Sequence, residues 1–177
     1  MKRLLIFVSV FSLVLLANES YAQKVNVGVN ASASVPLGDN SDTFKAASGF
    51  DASLDYYFND KVDFGVESGY KGFRYDADEL DGEHRSVVPL LATLGLHNDI
   101  GDMLDLYGEL GGGVFFMSTT LNDEQQNYGG LSPRLGVAVD LSEKWFLDTS
   151  LNYTHVFSDG ADFNWVGLKF GILYTIN

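Results

Sequence analysis

From residue 24 onward, apolar side chains recur at every second position. In 24–38, Val25, Val27, Val29, Ala31, Ala33, Val35 and Leu37 share one parity, while Asn26, Gly28, Asn30, Ser32 and Ser34 occupy the other. A period of two marks a strand with one apolar face, and no helical period competes with it. Segment 50–58 repeats the pattern, with Phe50, Ala52, Leu54, Tyr56 and Phe58 against Asp51, Ser53, Asp55 and Tyr57. So do 62–75 (Val62, Phe64, Val66 against Asp63, Gly65, Glu67), 104–117 (Leu104, Leu106, Leu110 against Asp105, Tyr107, Glu109) and 131–141 (Leu131, Leu135, Val137 against Ser132, Arg134, Gly136). Segments 145–157 (Trp145, Leu147, Leu151 against Asp148, Ser150, Asn152) and 164–176 (Leu168, Phe170, Ile172 against Gly167, Lys169, Gly171) complete the second half. In 86–97 the apolar parity is Val88, Leu90, Ala92, Leu94 and Leu96, but the opposite parity (Val87, Pro89, Leu91, Thr93) is only mildly polar. The pattern predicts eight strands, no helix and an all-β single domain.

The connections alternate in length. Asn59-Asp60-Lys61 and Ser142-Glu143-Lys144 are tight, and Asn98 to Met103 is somewhat longer. The intervening connections, 39–49, 76–85, 118–130 and 158–163, are mostly longer and rich in Asp, Asn, Ser and Gly. An even number of strands with short turns at one end and long loops at the other is the layout of an eight-stranded antiparallel up-and-down transmembrane β-barrel. Closure satisfies every backbone group internally, as hydrocarbon requires.

A soluble eight-stranded barrel has the same period with its apolar face turned inward. Three features favour lipid on the apolar side. The polar parity is crowded with small residues such as Gly65, Gly111, Gly136 and Gly171, which suit a narrow lumen. Aromatic residues gather near both strand ends, with Tyr56, Phe58, Phe64, Trp145 and Tyr174 at one and Phe50, Tyr70, Phe116, Tyr153 and Phe157 at the other. Two such belts match interfacial girdles. The apolar parity is nearly free of formal charge, and a Lys or Arg at its mid-depth would cost about 2–4 kcal/mol in a bilayer.

On these grounds the chain resembles the small, porin-like outer-membrane β-barrel proteins related to OmpX and to the membrane domain of OmpA. The sharpest local match is Lys169-Phe170-Gly171-Ile172-Leu173-Tyr174-Thr175-Ile176, which resembles the last-strand insertion signal read by the barrel assembly machinery. Lys169, Gly171, Tyr174 and Ile176 fill its polar, glycine and two hydrophobic positions, although the family usually ends on an aromatic residue and this chain ends on Asn177. The resemblance implies residence in a Gram-negative outer membrane, with outer-membrane lipids and lipopolysaccharide as neighbours.

By parity, Glu67 and Lys71, Glu109, Arg134 and Lys169 face the lumen at middle depth. Glu109 and Arg134 lie on neighbouring strands and are expected to pair. An eight-stranded barrel is only just wide enough for side chains to fill, so these charges are expected to form a network that plugs a polar lumen. A gated ion path is the alternative.

Composition narrows the function further. The net charge of −13 is no footprint for nucleic acid, whose affinity rests on Lys and Arg meeting phosphates. Cysteine is absent, which excludes disulfides, thiolate metal sites and Cys nucleophiles. The start of the chain reads as an export signal over 1–22: Lys2-Arg3, the apolar run Leu4 to Ala17, and Ser20-Tyr21-Ala22 before a cut at Gln23. That leaves 23–177 as the barrel.

His84, His97 and His155 do not cluster with metal-ligand spacing. The acidic loop Asp76 to Glu83 fails the calcium-loop pattern, because the fifth position is Leu80 and the twelfth is Val87. It reads as a solvated loop, with weak divalent bridging to lipopolysaccharide as a further option. Some eight-stranded barrels modify lipid A, and a deacylase-like His-x-Ser has its nearest counterpart in His155-Val156-Phe157-Ser158. The spacing is wrong for a base and its nucleophile on one strand face. The sequence therefore points to a non-enzymatic barrel without metal or cofactor, with a structural or surface-interaction role. A narrow solute channel, a periplasmic soluble barrel and, last, a lipid A-modifying enzyme are the alternatives. The sequence gives no cue to an oligomeric state.

Overall fold

The computed structural model describes residues 24–77, 82–101, 103–121, 125–158 and 162–176. Eight strands make up the fold: β1 (Lys24–Leu37), β2 (Ala47–Asn59), β3 (Val62–Arg74), β4 (His84–Ile100), β5 (Leu104–Thr119), β6 (Gln125–Asp140), β7 (Trp145–Phe157) and β8 (Phe163–Ile176). Each pairs antiparallel with the next, and β8 returns to β1 from Val25↔Ile176 to Leu37↔Asn164, closing the barrel. A single 3-10 turn, Gly38–Asp42, follows β1, and no α-helix occurs among the described residues.

Alternation sets the two faces. Leu135, Val29, Leu96 and Leu94 stand outside, with 69%, 60%, 63% and 53% of their surface exposed. Asp51, Asp63, Glu67, Lys71 and Lys169 on the other parity are buried inside. A soluble barrel would reverse this arrangement. Outer aromatics pair near the rims: Trp145 lies 4.7 Å from Tyr174 and Tyr56 lies 5.3 Å from Phe58 between ring centroids, while Phe50 and Tyr70 stack at 6.2 Å.

The strands run further than the hydrophobic pattern indicates. β5 and β6 stay paired out to Ser118↔Gln125, so most of the loop expected over 118–130 is ladder. β4 likewise reaches Ile100, leaving a tight 4–5 turn around Gly101, whose φ is +72°. Gln125, Gln126 and Asn127 are exposed there, so no apolar side chain marks the strand. Backbone pairing continues without that marker, because each ladder group still needs its partner.

The interior also departs from a uniformly polar lumen. At the long-loop end, inward-facing Phe73, Phe115, Phe163 and Trp165 pack with Phe44, Val87 and Val156 into an apolar cluster. Phe73 meets Phe163 edge-on at 5.0 Å, and Phe115 meets Trp165 at 5.8 Å. Arg85 sits over the rings of Phe44 and Phe163 at 4.9 and 5.5 Å. Small neighbours make the room: a Cβ on Gly130 would lie 2.6 Å from the Phe115 ring. Alternation identifies which residues point inward but not that one end of the lumen is greasy.

Candidate functional site

Below the apolar cluster, towards the short turns, the lumen is ionic. Lys71 on β3 binds Asp51 on β2 at 2.6 Å, and Lys169 on β8 approaches the same oxygen at 3.7 Å. Lys169 then meets Glu67 on β3 at 2.5 Å. The other Glu67 oxygen receives Arg134 of β6 at 2.7 Å, and Arg134 reaches Glu109 of β5 at 2.5 Å. The chain Lys71–Asp51–Lys169–Glu67–Arg134–Glu109 thus alternates three cations with three carboxylates. Glu109 and Arg134 are direct cross-strand partners. Glu67, by contrast, joins β3 to β6 and β8, strands that are not its neighbours in the sheet. Four of the five links are charge-assisted hydrogen bonds, the strong kind, and the Asp51–Lys169 link is a longer ion pair.

The five charges singled out by parity therefore meet, but Lys71 joins the others only through Asp51. Asp51 has the inward parity common to Asp55, Asp63, Asp105 and Asp148, and nothing local in the sequence distinguishes it. The cross-strand register Gly49↔Lys71 and Asp51↔Gly69 leaves the space in which Lys71 reaches sideways to Asp51.

A second polar layer lies nearer the short turns. His97 on β4 is bracketed by two carboxylates, with Nε2 2.6 Å from Asp63 and Nδ1 2.6 Å from Asp105. Ionised carboxylates only accept, so both ring nitrogens donate and the arrangement suits an imidazolium. Tyr107 stacks on the His97 ring at 5.4 Å and donates its hydroxyl to Asp148 at 2.6 Å. Tyr107 also occupies the space above Gly136, where a side chain would collide with its ring.

This layer walls a cavity of about 470 Å³. Eight carboxylates line it (Asp55, Asp60, Asp63, Asp99, Asp105, Glu109, Asp140 and Asp148), against two fixed cations, Lys24 and Arg134, and His97. The cavity is an electronegative vestibule. Converging fields of one sign between low-dielectric walls concentrate ions of the opposite sign.

The rest of the sequence-level residues are dispersed. Gly171 faces the lumen beside Asn30, while Tyr174 and Ile176 lie on the outer face of β8, with Ile176 opposite Val25 at the seam. His84 starts β4 at the long-loop end, opposite Arg74. His155 is on the outer parity of β7, with Nδ1 2.6 Å from Asn164 and Nε2 3.5 Å from Asp162. Ser158 lies beyond the end of that strand. Part of the acidic loop (78–81), and the export signal over 1–22 with its cut at residue 23, lie outside the described residues.

A family model for the outer membrane protein beta-barrel domain matches residues 4–175. The chain belongs to that family. Its barrel is an outer-membrane barrel. Among solved structures, the barrel is similar to Neisserial surface protein A, with a TM-score of 0.68 at 16% identity over 86% of this chain and 97% of that one. Ail, the attachment invasion locus protein of Yersinia pestis, gives 0.62 at 19% identity over 88% of this chain and all of its own, in a complex with the heparin analogue sucrose octasulfate. OprG from Pseudomonas aeruginosa gives 0.61 at 14% identity over 88% and 97%. At these identities the likeness is one of fold. No curated protein matches the sequence.

Proposed function

We propose that this outer-membrane barrel is non-enzymatic and closed, a structural and surface-presenting element of the envelope rather than a conduit. The observation that carries this reading is the salt-bridge chain from Lys71 to Glu109, which ties β2, β3, β5, β6 and β8 together across the lumen. The aromatic cluster around Trp165 lies on the long-loop side of that chain and supports the reading with a second, apolar layer. In this reading the two layers together close an interior that is already narrow for eight strands.

In the orientation usual for this layout, short turns face the periplasm and the long loops face outward. Asp39, Asp42, Asp76 and Glu83 then give the outer surface a negative cast. Such loops suit cationic partners, or lipopolysaccharide phosphates bridged by divalent cations, better than polyanions. In this reading the chain is exported by residues 1–22, and the assembly machinery recognises β8 through Lys169, Gly171, Tyr174 and Ile176.

The vestibule favours a second reading, a narrow path gated by Arg134, because the cavity runs from Asp60, Asp99 and Asp140 at the short turns as deep as Arg134. Planar-bilayer recording separates the two. Closure predicts silence from the wild type and from Glu109→Ala. Discrete conductance that changes in Glu109→Ala would overturn closure. Lipid A from cells with and without the protein should give identical mass spectra, and a lost acyl chain would refute the non-enzymatic reading.

A further inference from the structure

The six-membered salt-bridge chain is electrically balanced, but the layer beneath it is not. Asp55, Asp63 and Glu109 come from three different strands, and each offers a carboxylate oxygen within 4.8 Å of the others. One oxygen of each has a protein donor: Ser53 on Asp55 at 2.9 Å, His97 on Asp63 at 2.6 Å, Arg134 on Glu109 at 2.5 Å. The second oxygens of Asp55 and Asp63 are buried with no hydrogen-bond partner. Arg134 and the His97 imidazolium each answer one of these carboxylates, but Asp55 has only a hydroxyl donor, so three acids this close repel one another unless a further positive charge lies among them.

Independent of the acids, the Thr93 hydroxyl points the same way. Thr93 is 2% exposed, and its oxygen also has no partner. It converges with Asp55 Oδ1 on the space above Gly65, which a Cβ would fill. Across the same pair of strands, Gly95 leaves the opening occupied by the Asp63 carboxylate. The missing side chains at 65 and 95 therefore let the Asp55 and Asp63 carboxylates and the Thr93 hydroxyl crowd together against the backbone, beside the acidic vestibule that Asp55 and Asp63 line.

We propose that Asp55, Asp63 and Glu109, with the Thr93 hydroxyl, bind one divalent metal ion inside the barrel. All the donors are hard oxygens, the set favoured by Ca²⁺, Mg²⁺ and Mn²⁺ over thiophilic or imidazole-seeking metals. Metal–oxygen bonds of about 2.1–2.6 Å put donors on opposite sides of an ion roughly 4.2–5.2 Å apart. The 4.8 Å spread fits within that span without backbone movement. The vestibule supplies waters for the remaining positions and an acidic approach path. The ion bridges β2, β3, β4 and β5, so it adds β4, which the salt-bridge chain does not engage, to the strands tied across the lumen.

The test is calorimetric titration of Ca²⁺, repeated with Mn²⁺, into the refolded full-length barrel in detergent, with folding checked by its heat-dependent gel shift. One saturable site per barrel is expected. It should disappear in Asp55→Asn/Asp63→Asn, weaken by roughly 10- to 100-fold in the near-isosteric Thr93→Val, and persist in Asp39→Asn, which removes an acid at the opposite end. If the double variant fails to fold, Thr93→Val decides. Undiminished binding in folded Asp55→Asn/Asp63→Asn, or in Thr93→Val, would assign the ion to the loops and overturn the proposal. No saturable heat up to about 10 mM, ten times the weak end of oxygen-ligand calcium sites, would overturn it as well and leave protons to neutralise the cluster.

Discussion

Glu67 is the residue on which the ionic interior turns, because its two oxygens hold Lys169 and Arg134 from strands across the lumen. Removing a partner from a buried pair leaves an uncompensated charge, at about 3–5 kcal/mol. Arg134→Ala strands Glu109 and leaves Glu67 with Lys169 alone, so equilibrium unfolding in lipid vesicles should show a loss within that range. Arg134→Lys keeps the charge but not the planar fork that serves two carboxylates at once, and it should fall between the alanine variant and the wild type. Equal stability of all three proteins would show that the network contributes nothing. Parity alone directed Glu67, Lys71, Glu109, Arg134 and Lys169 inward, and the Glu109–Arg134 pair follows from strand adjacency. The links from Glu67 to Arg134 and Lys169 depend on barrel closure, which brings distant strands face to face. Asp51 and His97 were visible only as two more inward polar residues, since register, not composition, decides which of them meet.

At the scale of the strand, depth governs the cost of a charge on the outer face. Leu135 lies mid-strand on β6 and is more exposed than any other large apolar residue of the outer wall. Leu135→Arg should destabilise the barrel by about 2–4 kcal/mol, whereas the same change at Leu141, just past the strand end, should cost about 0–1 kcal/mol. Vesicle-based unfolding of the two variants measures the difference, and equal costs would contradict a bilayer centred on β6. Inside, Trp165→Ala empties a fully buried site at the core of the aromatic cluster. A loss of about 3–5 kcal/mol is expected by the same assay, and an unchanged midpoint would mean that the cluster is not packed. Strand number, order and facing were all legible in the period of two. Strand ends were less so, because β4, β5 and β6 continue as polar ladders beyond the apolar band. The aromatic cluster is illegible for a related reason: Phe115 and Trp165 share the inward parity with Gly113 and Gly167, and alternation records a side, not what fills it.

Across the whole molecule the lumen is graded, with aromatic packing at the long-loop end, a balanced ionic layer in the middle and an acidic vestibule at the short-turn end. The outside is the inverse of a soluble protein's, a belt of leucine, valine and phenylalanine between aromatic rims. Such a surface has no stable exposure to water and needs acyl chains around it. The direct measurement is refolding from urea into phospholipid vesicles and, in parallel, into buffer without amphiphile, read by far-ultraviolet circular dichroism and by unboiled gel mobility. Sheet formation with a heat-sensitive shifted band should appear only in the vesicles. A monomeric, fully folded protein in plain buffer would contradict the account.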